Sequence, residues 1–203
     1  MRIGMLKRPL IVPLALLLAA FLTPMGAEAQ GISLELRGGL NLPVGDFSDE
    51  AGVEADSEAG IAADLILPIR ETISLYAGFG REWFGCDACE GDDGLNTTGL
   101  EAGVKFILPS GELPVLPWIR GGATFHKAEF TLGGVEADSD WGLGYQASVG
   151  VDIPLGEVLS FSPALRYQAY TADFDPLGLD FLDIEQDISF LSLDFGFHIH
   201  FQR

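Results

Sequence analysis

The chain has 203 residues, and 30 Asp+Glu against 11 Lys+Arg give it a net charge of −19. So acidic a balance argues against nucleic acid as a partner, because each bound phosphate wants a Lys or Arg. Apolar residues at 48% exclude a disordered acidic tail, and 26 glycines with 10% aromatics suit β-structure better than a helical enzyme.

The first element is an address. Arg2, Lys7 and Arg8 form a basic head, residues 10–22 an apolar run interrupted by Pro13, and Ala27-Glu28-Ala29 a small-residue site before Gln30. This is the layout of a secretory signal peptide. Its apolar run is short for a membrane helix, which needs about 20 residues. Residues 1–29 are therefore expected to be removed on export, leaving residues 30–203 as one domain with 8 bases and 29 acids. No later stretch approaches the ~18 unbroken apolar residues of a helical span.

The rest of the chain reads as eight strands, at 32–42, 59–67, 73–83, 97–108, 116–128, 141–153, 159–171 and 189–201. The sixth is the clearest. Trp141, Leu143, Tyr145, Ala147, Val149, Val151 and Ile153 alternate with Gly142, Gly144, Gln146, Ser148, Gly150 and Asp152. A period of two puts these sets on opposite faces of one strand. The last strand repeats the pattern, with Leu191, Leu193, Phe195, Phe197, Ile199 and Phe201 opposite Ser192, Asp194, Gly196, His198 and His200.

Short and long connections alternate. Pro68, Pro109 and Pro154 each end a strand at a short turn, since proline cannot donate to a ladder. The long connections, 46–58, 82–93, 129–140 and 173–187, hold 21 of the 29 acids after residue 29 and no Lys or Arg. One end of the molecule is strongly acidic, and the other is trimmed to turns.

Eight antiparallel strands can close a barrel and remove their edges. Two features turn the apolar face outward, toward lipid. The polar face is crowded with glycine, as suits a narrow interior, where a water-facing surface would carry Lys and Glu. It also carries charges of both signs that can pair across a lumen: Glu35, Asp64, Glu101, Asp152 and Asp194 with Arg37, Lys105, Arg120 and Arg166, joined by His198 and His200. The apolar face ends in candidate girdle aromatics, Trp83, Trp141, Phe161 and Tyr167. The expected fold is all-β, an eight-stranded antiparallel up-and-down transmembrane barrel.

The chain from residue 30 resembles the small outer-membrane β-barrels of Gram-negative bacteria, the class of OmpX, OmpW and the OmpA transmembrane domain. The resemblance lies in Gly38-Gly39-Leu40-Asn41-Leu42-Pro43-Val44-Gly45-Asp46-Phe47, a Gly-rich first strand and Pro-x-Gly-Asp-Phe corner. It lies also in Phe195-Gly196-Phe197-His198-Ile199-His200-Phe201, similar to the aromatic signal read by the barrel-insertion machinery, although Gln202-Arg203 follow it. It implies an outer-membrane location, with outer-membrane lipid, lipopolysaccharide and that machinery as partners.

Candidate chemistry is sparse. Cys86 and Cys89 form Cys-Asp-Ala-Cys in a long loop; in an exported chain a small disulfide is the simple reading. A metal site recruiting Asp87, Glu90, Asp92 or Asp93 is the alternative, short of a four-ligand pattern. His126, His198 and His200 read as members of a lumen hydrogen-bond network rather than a metal site. Lipid A deacylase barrels carry His and Ser two apart on a strand, but here Ala128 follows His126 and His200 follows His198. No catalytic pair, enzyme activity or cofactor is expected. The acidic loops are candidates for divalent cations, or simply solvated charge. The functional expectation is a structural or surface-interaction protein with a lumen plugged by paired charges. The alternative, which the resemblance to OmpW implies, is a narrow channel or lateral gate for small molecules, hydrophobic ones included.

Overall fold

The computed structural model describes residues 31–45, 47, 55–86, 94–109, 111, 114–132, 135–174 and 184–201. The expected signal peptide lies outside these residues. Eight long strands follow in chain order: β1 Ser33–Pro43, β2 Glu58–Arg70, β3 Ile73–Cys86, β4 Gly94–Ile107, β5 Leu116–Leu132, β6 Gly142–Pro154, β7 Leu159–Phe174 and β8 Ile184–His200. Each pairs antiparallel with its sequence neighbours, and β8 closes on β1 from Ser33↔His200 to Pro43↔Phe190. The result is a closed eight-stranded up-and-down barrel.

The short turns follow the chemistry of their residues. Pairing between β2 and β3 slips between Pro68 and Arg70, where proline has no N–H to give. Gly111 turns the chain at φ 63°, a left-handed conformation that side chains resist. At the opposite end the strands outrun the sequence expectation: β3 continues to Cys86, β5 to Leu132 and β7 to Phe174, while β8 starts at Ile184. The reason is physical. Backbone pairing persists above the apolar belt, where outward residues such as Lys127, Glu129, Asp173 and Asp187 no longer alternate in hydropathy. Two short segments, Ala55–Asp56 and Val135–Asp138, prolong the ladder there against β3 and β5.

Burial is inverted relative to a soluble protein. Leu143 is 73% exposed and Ile61 and Leu65 are each 58%, while Asp64, Asn41 and Ser192 are at 0%. Outer aromatic pairs, Phe125 stacked on Trp141 (5.0 Å) and Phe161 tilted against Phe197 (5.4 Å), continue the apolar belt. Water disfavours such a continuous surface by ~25 cal/mol per Å², whereas hydrocarbon does not. The barrel is therefore a transmembrane one, and its core is the lumen.

Candidate functional site in the barrel lumen

The middle of the lumen is built by register. Glu35 of β1 stands opposite Asp64 of β2 on one side and His198 of β8 on the other, and Lys105 of β4 stands opposite Arg120 of β5. Arg120 donates to Glu35 Oε2 at 2.6 Å and to Asp64 Oδ2 at 2.5 Å. Arg37 pairs with the same Asp64 oxygen at 3.3 Å and donates to Glu101, which also accepts from Gln146 Nε2. The Arg120 guanidinium lies over the Tyr76 ring, 4.1 Å from its centroid. Two cations share three carboxylates here, each group almost wholly buried. Bidentate, delocalised guanidiniums suit such sharing better than ammonium groups.

At the short-turn end, Lys105 Nζ reaches Asp152 Oδ2 at 2.7 Å. The other oxygen of Asp152 accepts from Trp118 Nε1 at 2.8 Å and Ser162 Oγ at 2.6 Å. His198 Nε2 stands 3.2 Å from Glu35 Oε1. His200 is clamped between two hydroxyls, Ser33 Oγ at 2.9 Å from Nδ1 and Ser160 Oγ at 3.0 Å from Nε2. A Ser–His contact of this length is the geometry of a nucleophile and its base, which sequence reasoning did not pair. The third group is a second serine, so no carboxylate orients the imidazole. A cavity of about 220 Å³ opens beside Lys105, Asp152, His198 and His200.

Toward the long loops the network changes character. Arg166 Nε donates to Asp194 at 2.8 Å, and its Nη1 to Gln168 at 2.6 Å and Glu82 at 3.4 Å. Thr97 donates to Glu82 at 2.9 Å, Ser192 donates to Asn41 at 2.6 Å, and His126 stacks on Tyr170 at 5.0 Å. Above this layer the lumen turns apolar: Phe47, Phe84, Leu95, Ala128, Tyr170, Ala172, Ile188 and Phe190 form one buried cluster. Phe84 is its centre, edge-on to Phe47 and to Phe190 at 5.1 Å each. Phe47 gets there because Gly45 turns at φ 65° just after Val44, whose N–H donates to the Ser189 carbonyl at 3.0 Å.

Two interior glycines are matched to rings. A side chain at Gly99 would run into the His126 imidazole, and one at Gly150 into the Trp118 indole. The room these residues leave is thus occupied by aromatic side chains.

On the outer wall, regular pairing of β6 with β7 stops at Gly144↔Tyr170 and resumes only with the Ser139↔Phe174 bridge. A pocket of about 390 Å³ lies beside this gap, lined by Gly45, Leu143, Tyr145, Tyr167, Ala169 and Asp187 among others.

Comparison with solved structures fits this geometry. The barrel superposes on Neisserial surface protein A with a TM-score of 0.67 at 12% identity, covering 86% of this chain and 100% of that one. The fold is that of the small outer-membrane β-barrels. The outer-membrane protein AlkL, solved in lipid bilayers, gives 0.58 at 14% identity over 89% of this chain and 95% of that one. OprG from Pseudomonas aeruginosa gives 0.54 at 13% identity over 85% and 98%. No protein-family model and no curated protein matches the chain.

Within this outer-membrane barrel fold, the structure brings Glu35, Arg37, Asp64, Glu101, Lys105, Arg120, Asp152, Arg166, Asp194, His198 and His200 into one lumen. The sequence alone places Glu82 in an acidic loop, and the structure corrects that: it is 2% exposed beside Arg166. The apolar cluster was also missed. Parity would have found both, since Glu82 and Phe84 continue the face of Tyr76 and Gly80, and Phe190 that of Ser192. Cys86 ends β3, while Cys89 and the acids Asp87, Glu90, Asp92 and Asp93 lie outside the described residues, as does half of the acidic loop sequence. Of the described loop acids, Asp138 pairs with Lys127 at 3.0 Å. Among the described residues there is no group of three His, Cys, Asp or Glu side chains arranged for a metal.

Proposed function

We propose that this is an outer-membrane barrel with a structural or surface-interaction role, its lumen sealed by side chains and its working surface formed by the four acidic loops. Residues 1–29 direct export and are cleaved, the barrel-insertion machinery reads the last strand, and the short turns face the periplasm. The observation that carries this reading is the stacking of two seals. A buried ion-pair layer fills the middle, and the Phe47–Phe84–Phe190 cluster closes the loop-side mouth. An eight-stranded lumen is just wide enough for side chains to fill, so the paired layer and the apolar cluster together suffice. The shared fold of Neisserial surface protein A and of the outer-membrane protein OprG supports the location.

A second reading, a lateral gate for small hydrophobic molecules, draws support from the 390 Å³ pocket beside the β6–β7 gap. Solute-swelling of proteoliposomes separates the two. The sealed-barrel reading expects sugars and small amphiphiles to enter no faster with the protein than without it. Faster entry of amphiphiles alone, abolished by Ala169→Trp in the pocket, would replace it with the gate.

A further inference from the structure

Eight Lys and Arg follow residue 29. Arg37, Lys105, Arg120 and Arg166 face the lumen, Arg70 sits at the short-turn end, and Arg203 lies outside the described residues. The other two, Arg81 and Lys127, stand in one ladder row on the outer wall: Arg81 pairs across the sheet with Thr98, and Thr98 with Lys127. Their chain neighbours Glu82, Thr97, His126 and Ala128 point into the lumen, so this row points out.

The row marks the edge of the apolar belt. Immediately below it the same three strands present Phe79, Leu100 and Phe125, mutually paired and 50%, 53% and 42% exposed. Immediately above it come Trp83, Asn96 and Glu129. The lumen bases each have a carboxylate within 2.8 Å or closer. Arg81 has none within 4 Å among the described residues. Its guanidinium lies over Trp83 at 5.7 Å, and its Nε is shielded from solvent with no hydrogen-bond acceptor. Among the described residues Lys127 pairs with Asp138 alone, itself 61% exposed. At an end rich in outward acids such as Glu129, Asp138, Asp173 and Asp187, this row is where an anion meets positive charge.

We propose that Arg81, Thr98 and Lys127 hold the phosphate headgroup of an anionic lipid in the loop-side leaflet, with its acyl chains on Phe79, Leu100 and Phe125. The proposal rests on the membrane reading above. Adjacent strands lie ~4.8 Å apart, so the two cationic residues start roughly 10 Å apart, a span their long side chains close on one phosphate. Arg supplies a bidentate fork and Lys a point charge. The apolar row directly beneath selects a lipid phosphate over a free one.

The test is lipid retention by the refolded full barrel in nanodiscs, read by native mass spectrometry. The lipids are diphosphorylated lipid A and the same lipid with its phosphates removed. Insertion is checked separately by the heat-dependent gel mobility shift. Wild-type protein should retain the phosphorylated lipid at least about tenfold better, the effect of one charge-assisted hydrogen bond. Arg81→Gln/Lys127→Gln should abolish that preference while still inserting, and Arg70→Gln should leave it intact. Equal retention of the two lipids, an unchanged preference in the double variant, or displacement by millimolar inorganic phosphate would each overturn the proposal. Absence of the mobility shift in the wild type would instead overturn the membrane reading beneath it.

Discussion

Asp64 is fully buried, and one of its oxygens faces both Arg37 and Arg120. A carboxylate so placed is tolerable only while both cations remain, because its desolvation is not returned by water. Arg120→Ala should therefore destabilise the folded barrel by ~3–5 kcal/mol in urea titrations, since it strands Glu35 and Asp64 together. Adding Asp64→Asn should recover part of that loss; a purely additive double variant would show that the pair is not coupled. Arg166→Ala should weaken the fold similarly by leaving Asp194 and Glu82 short of a partner. The glycines make a second residue-scale case. Gly150→Val pushes a side chain into the Trp118 indole and should prevent refolding, while Gly156→Val, which meets nothing, should be silent in the same gel-shift assay.

At the scale of elements, the first corner explains how a loop residue becomes part of the lumen. Ser189 Oγ donates to the Val44 carbonyl at 2.8 Å, Gly45 then takes a left-handed turn, and Phe47 lands against Phe84. Phe84→Ala should cost ~3–5 kcal/mol, because it removes the ring that both Phe47 and Phe190 abut. Ser189→Ala should cost only about 1 kcal/mol, one hydrogen bond among several that hold the corner. Unfolding titrations that ranked them the other way would place the weight of the mouth on the corner's hydrogen bonds rather than on its rings.

For the whole molecule, the fold was legible because lipid outside and a narrow polar lumen inside impose an alternation of period two. That pattern survives in a single sequence wherever the eight strands cross the apolar belt. The lumen charges were legible for the same reason: Arg37, Asp64, Glu101 and Arg166 sit on a glycine-rich face where a water-facing strand would carry Lys and Glu. Which acid meets which base was not legible, since partners such as Arg120 and Glu35 are far apart in sequence and depend on register around the barrel. Glu82 and Phe84 look like loop in the sequence because the outward residues beside them, Arg81 and Trp83, end the hydropathy contrast while the ladder runs on. The apolar cluster at the mouth was hidden by that same loss of contrast.

The central claim is that this lumen is closed twice, by charge and by aromatic packing. Single-channel recording of residues 30–203 in a planar bilayer, with insertion verified by gel mobility, tests it most directly. The account predicts a silent membrane from protein that has inserted. Discrete, reproducible current steps would contradict it and open the lumen as a conducting path.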